Sequence, residues 1–449
     1  MNLIQSIHDR IPNALTTRVK VVRKLKFNRV LRILGPGLIT GAADDDPSGI
    51  ATYSQTGAQF GFGQLWTALY QIPLLMAIQE TCARIGAVTG KGIAGVIKDN
   101  YTRKVLYAAV LLVVAANTIN IGADIGAVAD STKLMVNLPF TLLAIITVLI
   151  VTLLIVFVSY KKYARILKWF ALALLSYPVT ALLVHEPWGE IVHATVVPHI
   201  TFSFSFLFII TGVFGTTISP YMFFWQSSGE VEEEVAQHMV AQKGGIPRLT
   251  KKFLRDLRTD NALGMLAAEI AQWFIIITTA TVLFSHGIHN INTAAQAAKA
   301  LQPLVRSFPN SGQLAKDIFA IGVIGLGLLA IPVLAGSASY AMSEAFGWKE
   351  GLYYKFRKAK AFYVVIILAT IVGLMINFLG INPIKALVFT AVFNGIAAVP
   401  LLFLIARINS NKQIMGEHSG GPLSRSLVWL TFGVMAAAAV ALFATILHL

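Results

Sequence analysis

Apolar runs of about twenty residues recur along the whole chain, separated by short polar stretches. A transmembrane helix needs roughly 20 consecutive apolar residues, and the pattern yields eleven such spans. They fall near 34–58, 63–87, 105–130, 138–160, 164–184, 203–226, 261–285, 317–343, 361–379, 384–406 and 425–447. Four segments follow: a polar, basic stretch 1–33, a first five-span repeat 34–184, a second 203–406 and a last span 425–449. The stretch from Glu230 to Lys252 reads as a solvated connector.

Nine spans are plain. Span 1 is interrupted by Gly-Ala-Ala-Asp-Asp-Asp-Pro-Ser-Gly over 41–49, and span 6 by Gly-Thr-Thr-Ile-Ser-Pro over 215–220. Pro47 and Pro220 each remove a backbone donor and push the preceding residue away from helix. Unwinding is expected over Asp46–Gly49 and Thr216–Pro220. Irregular backbone at membrane depth is tolerated only where it is buried in protein or lines a wet cavity. Two breaks at matching positions of two five-span halves point to an inverted-repeat transporter with its site at the midplane. A plain proline kink would account for Pro220. It does not account for Pro47, because Asp44, Asp45 and Asp46 precede it. Each acid at a helix centre costs roughly 2.5–3.5 kcal/mol, so a cation or a wet vestibule is expected there.

Composition narrows the class. The 449 residues are 56% hydrophobic and only 13% charged, which excludes a soluble globular enzyme and a nucleic-acid-coating protein. The net charge of +15 is distributed unevenly. With the N-terminus inside, thirty-one of the 36 Lys and Arg residues lie at the inner face and five lie outside. That asymmetry is the positive-inside signature and fixes a cytoplasmic N-terminus in the cell membrane. Cys82 is the lone cysteine and makes no internal disulfide. The histidines sit mostly in loops (among them His185, His193, His199, His286 and His289) with no metal-ligand spacing, and no phosphate-binding loop is present. Among the other intramembrane acids, Glu80 pairs by spacing with Arg84. Asp124, Glu269 and Glu344 are open to either a structural or an ion-pathway role.

The segments Gly35-Pro-Gly-Leu, Asp46-Pro-Ser-Gly-Ile-Ala and Gln59-Phe-Gly-Phe-Gly-Gln-Leu-Trp66 resemble the first-helix signature of the Nramp divalent-metal transporters. Gly215-Thr-Thr-Ile-Ser-Pro-Tyr-Met-Phe-Phe-Trp-Gln-Ser-Ser228 resembles their sixth-helix signature. The resemblance implies an all-α LeuT-like fold, with spans 1–5 and 6–10 as inverted repeats and span 11 appended. It also implies a metal site at Asp46, Gly49, Thr216 and Ser219, with Asp45, Tyr221, Gln226 and Asn394 around it.

The departures from the family motifs carry a prediction. The family's Asp-Pro-Gly-Asn becomes Asp46-Pro-Ser-Gly49, and its Ala-Thr-Val-Met-Pro-His becomes Thr216-Thr-Ile-Ser-Pro-Tyr221. Ser219 replaces the Met and Gln226 the second His. This is similar to the divergent, Nramp-related magnesium transporters. A thioether favours transition metals and disfavours Mg2+. An all-oxygen, wider site suits a partly hydrated Mg2+, and Mn2+ as well. The family's proton-route positions fall on Asn120, Ala123, Tyr221 and Gln226, none of which titrates near neutrality, so obligatory proton coupling is not expected. The expected protein is a monomeric carrier without cofactor, its ion being cargo. The alternatives are an ordinary proton-coupled Mn2+/Fe2+ symporter and an amino-acid carrier of the same architecture. Three aspartates at the break would repel the carboxylate of an amino acid.

Overall fold

The computed structural model describes residues 36–158, 170–184, 186–236, 239 and 249–447. The basic segment 1–33, His185, the start of span 5 and most of 237–248 lie outside the described residues, and with them the expected course of the N-terminus. The described residues form helices throughout: α1 (Pro36–Asp44), α2 (Pro47–Phe60), α3 (Trp66–Thr89), α4 (Ile93–Asn100), α5 (Arg103–Lys133), α6 (Phe140–Phe157), α7 (Ser176–Leu183), α8 (Phe204–Thr217), α9 (Pro220–Ala236), α10 (Lys251–Val282), α11 (Ser311–Phe346), α12 (Lys360–Ile376), α13 (Pro383–Ser410) and α14 (Pro422–Ile446). Eight helical stretches among the described residues are long and apolar enough to cross a membrane. The protein is a multi-pass membrane protein. Span 1 is divided between α1 and α2, and span 2 is the 24-residue α3.

Helix ends carry local signals. Thr102, Ser203, Thr250 and Asn382 cap α5, α8, α10 and α13 by accepting backbone N–H groups. Gly90 and Gly347 close α3 and α11 at positive φ, 63° and 72°, where a Cβ would be strained. The spans differ in depth. In the most apolar window of span 6, 94% of residues are buried, against 28% in span 11. Span 6 is therefore the centre of the bundle, and α14 lies at its lipid-facing rim with Leu430 and Val440 exposed.

Two expectations are corrected. Both breaks are shorter than expected: Asp45–Asp46 in span 1, one residue earlier, and Ile218–Ser219 in span 6, inside the expected stretch. Each proline opens the following helix, where its missing N–H and fixed φ cost nothing. Gly49 and Thr216 are thus helical. The stretch from Glu230 is not a solvated connector at its start. It continues α9, with Glu230 and Glu234 buried and Glu232 accepting from the Leu352 N–H at 2.7 Å.

The Glu80–Arg84 pair forms as expected, with Arg84 Nε and Nη2 donating to the two carboxylate oxygens at 3.0 and 3.1 Å. Glu344 has a structural role. Its two oxygens accept the Gly92 and Gly95 N–H groups at 2.9 and 2.8 Å, clamping the start of α4 onto α11.

Candidate cation-binding site

Asp46 sits in the gap of span 1 with extended backbone and caps α2. Its Oδ1 accepts from the Gly49 N–H at 2.8 Å and the Ser48 hydroxyl at 2.6 Å. Its Oδ2 accepts from Asn120 Nδ2, on α5, at 3.0 Å. A carboxylate offers about four lone-pair positions, so three donors orient it and leave capacity for an ion. The positive end of the α2 dipole stabilises the charge where it stands.

The gap of span 6 faces it. Ser48 and Thr216 hydroxyl oxygens are 3.1 Å apart. Ser48 spends its one proton on Asp46, so Thr216 is the donor, and a hydroxyl relay runs from span 6 to the carboxylate. The Tyr53 hydroxyl meets Thr217 Oγ1 at 2.9 Å, a second link between the gaps. Pro47 has no N–H for the Ala43 carbonyl, and the Tyr221 hydroxyl donates to it instead at 2.9 Å. Pro220 likewise has no N–H for the Thr216 carbonyl, so this oxygen, pointing out of the end of α8, is left by helix geometry for another partner. Ser219 donates its hydroxyl to the Gly215 carbonyl at 2.7 Å, and its lone pairs remain.

The structure therefore brings Asp46, Thr216, Ser219 and Tyr221 to the two gaps, and all four are buried. Gly49 enters differently from expectation. It lies in the first turn of α2, where its carbonyl belongs to the helical ladder, and its N–H serves Asp46. The expected widening around it is absent. A Cβ on Gly49 would stand 3.3 Å from the Tyr53 ring and 3.4 Å from Thr216 Oγ1, so these groups already fill the space. Gln226 is not brought to Asp46. It accepts from the Thr40 hydroxyl at 2.5 Å and donates to Glu230 at 2.8 Å, tying α1 to α9. Asn394 on α13 has a buried Nδ2 without a hydrogen-bond partner and makes no bond to the gaps.

Ser48 and Asn120, which hold the carboxylate, are additions to the expected site. So is the condition of the remaining acids. Both oxygens of Asp44, Asp124 and Glu269, and Oδ1 of Asp45, are buried without a hydrogen-bond partner. The signal was present in the pattern, since Asp124 and Glu269 have no basic residue three or four positions away, unlike Glu80. Among the described residues, no three acidic, His or Cys side chains converge closely enough to hold one ion between them. Asp46 is the carboxylate that hydroxyls of both gaps approach, directly from Ser48 and through it from Thr216. Toward the α2 C-terminus, a cavity of about 600 Å³ is lined by Gln55 and Gln59 of α2, Ala123 of α5, and Asn290 and Asn377.

Two half-helices meeting a buried carboxylate at the centre of a helical bundle define a membrane transporter rather than an enzyme. The comparisons place it more narrowly. The model of the natural resistance-associated macrophage protein-like (Nramp) family matches residues 37–445, and the chain belongs to that family. It is 25% identical over 420 residues to the divalent metal cation transporter MntH of Yersinia pestis (strain Pestoides F), covering 90% of this chain and 91% of the relative. It is 26% identical over 429 residues to MntH of Klebsiella pneumoniae (strain 342), covering 93% and 94%. The fold matches a crystal structure of the Eremococcus coleocola manganese transporter with a TM-score of 0.70 at 18% identity, over 93% of this chain and 87% of that one. It also matches MhsT in complex with L-phenylalanine, with a TM-score of 0.54 at 15% identity over 92% and 97%. The fold is the LeuT-like one.

Proposed function

We propose that this chain carries hard divalent cations, Mg2+ first and Mn2+ as well, across the cell membrane by alternating access, without obligatory proton coupling. The curated relatives bear the name of divalent metal cation transporters, which supports the cargo class. The observation that carries the metal preference is the donor set at the two gaps: one charged carboxylate, Asp46, with hydroxyls and a carbonyl, and Ser219 where a thioether would select softer ions. The Lys and Arg distribution supports a cytoplasmic N-terminus. An uncoupled carrier still imports its cargo, because a divalent ion gains about 4.6 kcal/mol per 100 mV of inside-negative potential, twice the single-charge value.

A proton-coupled Mn2+ symporter is the second reading. Asp124, buried and without a hydrogen-bond partner, one residue beyond Ala123 on α5, favours it. Uptake into proteoliposomes decides the cargo, with Mg2+, Mn2+, Ca2+ and Cd2+ compared at equal gradients. Saturable Mg2+ entry that Mn2+ competes is the expected result. Transport of Mn2+ and Cd2+ with no Mg2+ entry overturns the proposal.

A further inference from the structure

We infer that the corner formed by the start of α5, the end of α11 and the start of α12 binds the headgroup of an anionic phospholipid. With the N-terminus inside, this is the cytoplasmic leaflet, where anionic lipids gather. No residue of either gap takes part, so the inference stands apart from the cargo reading.

The charge at this corner is one-sided. Lys98, Arg103 and Lys104 stand at the end of α4 and the start of α5. Five more basic residues run from Lys349 to Lys360, across the connection to α12 and onto its first residue. All eight are exposed. Three acids share these stretches, and each is committed elsewhere. Asp99 pairs with Lys91 at 2.5 Å. Glu344 has both oxygens on the N–H groups of Gly92 and Gly95. Glu350 is buried. Of the 21 acidic residues only Asp9 lies outside the described residues, and no described carboxylate forms an ion pair with any of the eight cations.

Packing sets this charge at headgroup depth. α11 packs on both α5 and α12. The Phe346 ring stacks on Tyr107 and on Trp348, with centroids 6.1 and 5.0 Å apart and planes within 26° and 20°. Tyr107, Phe346 and Trp348 are 47%, 50% and 38% exposed. Exposed aromatic rings are selected where a spanning helix meets the membrane surface. Along α5, Arg103, Tyr107 and Leu111 follow at four-residue spacing, so cation, ring and apolar side chain descend one face at about 6 Å per step. Lys360, Val364 and Leu368 do the same on α12. Leu111 and Leu368 are 70% and 54% exposed, as apolar side chains against acyl chains are. The cations one or two turns beyond them therefore lie level with the headgroups. α12 also begins without a side-chain cap, which leaves its first N–H groups for a phosphate oxygen. An anionic phospholipid meets every part of this surface: its chains lie on the apolar stripes, its glycerol region on the rings, and its charge on the cations. A soluble phosphate would meet the cations alone.

Native mass spectrometry of the purified full-length chain in detergent tests this, with phosphatidylglycerol and phosphatidylcholine of the same acyl chains as probes. The wild type should retain phosphatidylglycerol in preference by about tenfold or more, and the triple variant Arg357→Gln, Lys358→Gln, Lys360→Gln should weaken that preference by about tenfold or more. A control variant, Lys251→Gln, Lys252→Gln, Arg255→Gln, removes three exposed cations at the start of α10 and should keep the preference. Equal retention of the two lipids by the wild type overturns the proposal whether or not the variants fold. So does a preference that survives in the first variant or falls equally in both. Displacement of phosphatidylglycerol by inorganic phosphate at constant ionic strength would assign the corner to a soluble anion and overturn it too.

Discussion

Replacing Asp46 with asparagine separates ion binding from folding. The new side chain keeps an oxygen for the Gly49 N–H and the Ser48 hydroxyl, now at 2.8 and 2.6 Å. Its amide nitrogen faces Asn120 Nδ2, donor against donor. Asn120 can turn its own amide, because its Oδ1 is buried without a partner, and the bond re-forms in the opposite sense. The fold then exchanges charge-assisted bonds for neutral ones, a loss of about 1 kcal/mol each. The ion loses far more. A dication about 4 Å from a unit charge at an effective dielectric near 20 gains about 8 kcal/mol before dehydration is counted. If only about 3 kcal/mol of this survives dehydration, affinity falls more than about 100-fold. Asp46→Asn should therefore purify as a stable, monodisperse protein that takes up no measurable Mg2+ or Mn2+ in proteoliposomes. Uptake like that of the wild type would show that the carboxylate does not meet the ion.

Ser219→Met restores a soft donor at the second gap and should shift uptake toward Cd2+ relative to Mg2+, read as a competition series; an unchanged series removes Ser219 from the ion's surroundings. Gly41→Ala should lower thermal stability by about 1–3 kcal/mol, because its Cβ would sit 2.4 Å from the Gly264 carbonyl; an unchanged melting temperature would refute the close contact. Glu344→Gln keeps one acceptor for the two N–H groups of Gly92 and Gly95, and should cost about 1.5–3 kcal/mol, with faster hydrogen exchange confined to the start of α4. A pH dye trapped in vesicles should report no acidification during Mg2+ entry; stoichiometric acidification that vanishes in Asp124→Asn would establish proton coupling.

The two gaps were legible because each carries a proline, and the first an acidic run, inside an apolar span. Their limits were not. A proline ends one helix and begins the next with equal ease, and only the surrounding packing shows that Pro47 and Pro220 begin α2 and α9. The acids of 230–234 look like a solvated charge run, yet α9 is held in the protein interior over that stretch, with Gln226 donating to Glu230 and Leu352 donating to Glu232. Asn120 reaches Asp46 across 74 positions, and Ser48 reaches Thr216 across 168. No periodicity encodes such pairs. They exist because α5 and α8 pack against α2.

The two prolines do equivalent things to the backbone, and the protein treats the results differently. Each frees the carbonyl four residues before it. The one freed by Pro47, on Ala43, is bound by Tyr221 from the opposite repeat. That bond, with Thr40 on Gln226, joins α1 to α9, while Ser337 on α11 donates to the Tyr221 carbonyl at 2.8 Å. The half-helices on this side of the gap are therefore fastened to each other and to α11. Pro220 leaves the Thr216 carbonyl, at the other gap, without its helical N–H donor. One freed oxygen thus fastens α1 to α9, and the other is the carbonyl we propose for the ion. In the proposed carrier, an exit on this side requires α1 to part from Tyr221 and Gln226.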